Sequence, residues 1–152
     1  MHLAHYLGLL HRSEEELREA MLEVGQAHKD EVDVFHTCQR LAEECARHAQ
    51  KLGPFANRYG ENAPTEPERL HRELFGGTRE GGLGLLRDLH DLYLMVCECD
   101  MAWTVIGQGA QGARDEELIG VVDECKSETA TQLLWLKTRM KQAAPQALVV
   151  AE

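Results

Sequence analysis

Glu44 and His48 lie four residues apart, and Asp33 and His36 three apart, in a stretch with helical periodicity. On a helix both spacings put a carboxylate and an imidazole on one face. These two pairs are the nearest matches on the long helices to a Glu-x-x-His metal pair, the first one residue too long and the second with the shorter acid. Glu68 and His71 form a third pair, in a stretch rich in Pro and Gly, where a solvated surface face is the simpler reading. Five cysteines add soft ligands, but there is no Cys-x-x-Cys. Cys97 and Cys99 diverge on a helix, since residues two apart do not face one another. Other chemistries lack their residues. Ser13 and Ser127 are the only serines, and Gly76-Gly77 and Gly81-Gly82 lack the Lys-Ser/Thr of a phosphate-binding loop.

Which of these groups can meet depends on the elements that carry them. Leu17, Met21 and Val24 mark a helix over about 13–28. Ser13 followed by Glu16 matches a capping box, which places the helix start at Ser13. Residues 2–11, with Leu3, Tyr6, Leu7 and Leu10, then form a short N-terminal helix. The same seam runs on through Glu14 in steps of three and four, so a single bent helix is the alternative. A second helix spans about 31–52, with Val34, Cys38, Leu41 and Cys45 on its seam and Gly53-Pro54 as its stop. The turn is set at 29–30 because one helix from 13 to 52 would run about 60 Å, too long for a domain of this size. Residues 53–82 are a connector, with a short helix expected over 67–75. Two more helices come after it, at about 83–110 and 115–142, with Pro145 as the final stop. No strand-like alternation occurs, so the chain is all-α, one domain over residues 1–152.

Short turns make two antiparallel hairpins, and the long connector can run the length of a bundle. The expected layout is a four-helix bundle, up-down-down-up. Pairing the first two helices about residue 29–30 sets Glu14 beside Cys45 and near His48. Parallel second and third helices bring Cys99 and Asp100 to that level, and the last turn adds Cys125 and Glu128. One layer thus gathers Glu14, His48, Asp100 and Glu128, the predicted metal site. A second reading uses no ligand: Glu14 favours a helix N-terminus electrostatically, and His48 is a core histidine bonded to a carboxylate.

In this layout of hairpin, long crossover and hairpin, residues 13–142 resemble the ferritin-like superfamily. The resemblance implies a core centre of two metals, with iron, manganese or zinc as the candidates. Its pattern is one Glu from each of two helices and Glu-x-x-His from each of the other two. Here the only Glu-x-x-His is Glu68–His71, in the connector, and the fourth helix has no histidine.

Composition narrows the partners. Net charge is −10, which disfavours phosphate backbones and anionic membranes. No apolar run is long enough to span a bilayer, the N-terminus lacks signal-peptide features, and the odd cysteine count fits a reducing, cytoplasmic setting. The third helix is apolar around much of its circumference, from Leu85 to Val96. A four-helix core does not cover such a helix fully, so a homo-oligomer, favoured as a dimer, or a protein partner is expected. Three functions compete: a non-catalytic module acting by association, a divergent metalloprotein, and a small-ligand binder near Tyr93, Trp103 and Trp135.

Overall fold

Tertiary packing overrides two local boundary signals in this chain, a start and a stop. In the computed structural model, which describes residues 2–60 and 74–150, the first helix, α1, runs unbroken over Leu3–Ala27. Ser13 is therefore neither a cap nor a helix start, and residues 3–11 belong to α1 rather than to a separate helix. The reason is the continuous seam: Leu7, Leu10, Leu17, Met21 and Val24 are fully buried, and Ser13 and Glu14 are buried between them. The second helix, α2, spans Val32–Gly60 with Pro54 inside it, so Gly53-Pro54 does not end it, against the expectation from sequence. Pro54 lacks an N–H and costs the helix one backbone bond. The helix continues because the residues beyond Pro54 are anchored. Phe55 is buried in the core, Arg58 Nη1 donates to Asp115 Oδ2 at 2.7 Å, and Tyr59 Oη donates to the same oxygen at 2.6 Å.

The third helix, α3, spans Gly81–Gly112, and the fourth, α4, Glu116–Pro145, succeeded by a π-helical turn at Gln146–Val150. The described residues are all-α. Arg114 takes a left-handed conformation (φ 54°) to turn the chain between α3 and α4. Asp115 then caps α4, its side chain accepting from the Leu118 N–H at 3.1 Å. Within the expected 67–75 helix, Leu74 and Phe75 are non-helical, and residues 67–73 lie outside the described residues, as do Glu68 and His71.

α1 packs on α2 and α3, and α4 packs on α3 and more lightly on α2. Gly25 lets α1 and α2 approach closely: a Cβ there would lie 3.0 Å from Cys38 Cβ. Residue pairs fix how the helices lie. Leu3 touches Gly109, Glu14 meets Trp103, and His28 meets Asp88. On the other side Arg139 meets Asp33, Arg47 meets Glu128, and Arg58 meets Asp115. The core between them is aliphatic and sulfur-rich, with Trp103 its largest fully buried side chain.

The arrival of the connector at α3 is pinned by a buried carboxylate. Asp88, with no exposed surface, accepts from the Arg79 backbone N–H at 2.9 Å, from Arg79 Nη1 at 2.8 Å and from His28 Nε2 at 2.7 Å. Arg79 also reaches Asp91 at 2.9 Å. Gly84 makes room for this crossing, since a Cβ there would fall 2.9 Å from the Arg79 carbonyl carbon. Removing the carboxylate strands His28 and loosens the connector. Asp88→Ala should lower stability by about 3–5 kcal/mol, measured by urea unfolding, with Asp91→Ala costing far less.

Candidate functional site

The helix register brings three of the four predicted residues together. Glu14 on α1 is 1% exposed and His48 on α2 is 0% exposed. His48 Nδ1 lies 3.1 Å from Glu14 Oε1, and His48 Nε2 lies 3.6 Å from Glu128 Oε1 on α4. The first contact is a hydrogen bond, whereas the second is too long for one and acts through charge alone. Glu128 is half-buried and takes a 2.7 Å bond from Arg47 on its other oxygen. Asp100 stands apart. It follows Cys99 by one residue, about 100° around the helix, and there it accepts from Lys126 Nζ at 3.2 Å on the flank of the α3–α4 pair. Asp33 pairs with Arg139 at 2.7 Å rather than with His36.

Two members of the cluster were not among the predicted ligands. Trp103 Nε1 donates to Glu14 Oε1 at 3.0 Å and sets its ring edge-on to His48, with centroids 5.8 Å apart. This places Trp103 in the core as a carboxylate donor. Glu44, one turn before His48, is also buried. The sequence held a signal for each: Trp103 lies on the α3 stripe four residues after Cys99, and Glu44 precedes the seam residue Cys45. Asp88 was likewise missed, though its position three residues after Leu85 and four before Leu92 puts it on the buried face.

The electrostatics follow from three carboxylates around one imidazole. Burial alone pulls His48 toward the neutral form, but the Glu14 hydrogen bond and the charges of Glu14, Glu128 and Glu44 outweigh it and hold the imidazole above its ordinary value. Burial also pushes the Glu44 carboxyl up, reinforced by Glu128 and partly offset by Arg40 and His48. Burial raises the thiols nearby as well. Burial, then the charge of Glu14, drives Cys45 and Cys99 well above the ordinary thiol range. Cys125 is pushed up to about 12 mainly by burial, as is Cys38. All five cysteines are free, and raised thiols are poor nucleophiles and poor ligands.

A resident metal would have to draw its ligands from this donor set. Three buried polar atoms of the cluster lack a hydrogen-bond partner: Glu14 Oε2, Glu44 Oε2 and His48 Nε2. That is the one feature a core cation would satisfy. Yet among the described residues no group of three or more His, Cys, Asp or Glu converges as a metal-holding set. The imidazole itself lies between Glu14 and Glu128, where a cation would be needed. The fourth predicted ligand, Asp100, is turned to Lys126 instead, and the raised His48 imidazole is itself a source of positive charge for the site.

No protein-family model matches this chain, and neither does any curated protein or solved structure.

The raised His48 has a defined consequence for stability. Its contribution is fully present below the unfolded value near 6.5 and is lost as pH rises through the higher folded value. The raised Glu44 acts in the same direction at lower pH, since the folded chain holds that proton more tightly than the unfolded one. Unfolding free energy should fall as pH rises above about 6.5, with a slope of up to about 1.4 kcal/mol per pH unit. His48→Gln should be less stable at pH 6 and show a flatter slope, measured by urea titration at each pH.

Proposed function

We infer that this protein is a non-catalytic helical module that acts by protein association through the outer face of α3. One observation carries the reading. Leu83, Leu94, Met101 and Val105 are 50%, 43%, 63% and 39% exposed, and at 100° per residue they fall within about 40° of one another. They form an apolar stripe roughly 33 Å long. Among the described residues, the other helices each expose at most one large apolar side chain along the bundle: Leu22 on α1, Val32 at the start of α2 and Leu134 on α4. Leu148 and Val149 of the terminal turn, which packs on α3 and α4, add to the apolar surface. A rimmed apolar strip of this kind on an otherwise acidic chain is the usual mark of a protein contact. A membrane is a poorer match, because the net charge of −10 is repelled by anionic lipid, and no helix among the described residues is long and apolar enough to cross a bilayer.

The scaffold behind this face is, in our reading, a divergent ferritin-like bundle. The pairs Leu3–Gly109, Glu14–Trp103 and His28–Asp88 run α1 against α3. The pairs Asp33–Arg139, Arg47–Glu128 and Arg58–Asp115 run α2 against α4. With both hairpins antiparallel, this supports an up-down-down-up order and a crossover between α2 and α3. The inward carboxylates and imidazole then serve the register of the bundle, and the outer face of α3 serves binding.

A photo-crosslinking amino acid at position 101, compared with one at the exposed position 19 on α1, tests the reading in cells that make the protein. Discrete adducts at 101 and none at 19 are expected. No adduct at 101, or equal labelling at both, would contradict it.

A further inference from the structure

The polar residues beside the apolar stripe help to select its occupant. The outer positions of α3 are Leu83, Arg87, His90, Leu94, Glu98, Met101 and Val105, and their spacing reads the same in both directions about Leu94. We propose that the outer face of α3 binds a second copy of this chain, antiparallel, with Leu94 on the two-fold axis. This rests on the association reading above and names its partner.

The chemistry favours that arrangement over its alternatives. A two-fold contact is isologous, so each residue must suit the one that symmetry places opposite. With Leu94 on the axis, Leu83 of one copy meets Val105 of the other, an apolar pair. His90 meets Glu98, an imidazole against a carboxylate, and this pair occurs twice. Arg87 lays its aliphatic stem along Met101. A parallel pairing would instead set Glu98 against Glu98 and His90 against His90, which is unfavourable.

The ends of the stripe match as well. An apolar groove lined by Leu3, Tyr6, Val105, Ile106 and Gly109 opens where α1 begins beside the end of α3. The antiparallel copy delivers its half-exposed Leu83 to this end. Each copy thus offers one knob and one groove, and the axis satisfies both at once.

The experiment measures the monomer–dimer equilibrium of the full chain by sedimentation, with four variants. The parent chain should form a species of twice 17.1 kDa. Met101→Glu should abolish it. His90→Glu sets carboxylates opposite one another twice and should weaken the dimer ~10-fold, and Glu98→Lys removes the acceptor that faces the imidazole and should weaken it as well. The double variant His90→Glu/Glu98→Lys restores opposite charges and should bring affinity back to near the parent value, which a merely misfolded single variant would not allow. A dimer broken by Met101→Glu but indifferent to the charge variants would overturn the antiparallel pairing while leaving association through α3 intact. A dimer unaffected by Met101→Glu would overturn both. A monomer at high micromolar concentration would overturn the second copy as occupant, and crosslinking at position 101 would then decide the association reading separately.

Discussion

A carboxylate buried inside a helical bundle must find donors, and the way Glu14 finds them organises this molecule. One oxygen of Glu14 accepts from Trp103 on α3 at 3.0 Å and lies 3.1 Å from His48 Nδ1 on α2. Three helices meet at that atom. Sliding any of them by one residue would turn a donor away and leave a buried charge without a partner, which is far more costly than losing an apolar contact. The aliphatic seams alone would tolerate such slippage better, because Leu, Val and Met pack against one another in many registers. A single buried polar contact is a known means of selecting one register from several.

The same device appears at both ends of the bundle. Asp88 gathers His28 and Arg79 where the connector joins α3, and Asp115 gathers Arg58, Tyr59 and the N-terminus of α4 at the opposite end. The three carboxylates differ in exposure and in job. Asp88 is fully enclosed and bonded through both oxygens. Asp115 is a helix cap with an arginine laid over it, held below the ordinary carboxylate range first by the Tyr59 hydroxyl. Glu14 keeps one oxygen without a partner, the least satisfied of the three. With the interior committed to register, the outer face of α3 is left as the surface that has apolar area without a polar role.

Much of this was legible in the residues, by arithmetic rather than by motif. Counting back from a turn at 29–30 puts Glu14 beside Cys45, one turn short of the His48 it actually bonds, and the second turn adds Glu128, because helical rise is constant and the hairpins are tight. Asp100 failed the same arithmetic by one residue: level was right, but the helix face was wrong, and a step of about 100° carried it to Lys126. The capping box at Ser13 and the stop at Gly53-Pro54 misled for a shared reason. Both are local preferences worth about 1–3 kcal/mol, and each was outweighed by burial of the residues beyond it, Leu7 and Leu10 in one case and Phe55 in the other. Asp88 was overlooked because a lone acid on an apolar stripe reads as an interruption until its donors are known, and Arg79 lies in a connector with no periodicity to place it.

On this reading the positive charge in the core is carried by His48 itself. Nitrogen-15 NMR of the histidine side chains, tracked across pH, tests this directly. His48 should give the pattern of a doubly protonated ring at low pH and titrate above the ordinary imidazole value of about 6.5, with that titration moved to lower pH in a Glu14→Gln variant. A ring that is neutral throughout, or whose nitrogen shifts on adding zinc or manganese, would contradict it.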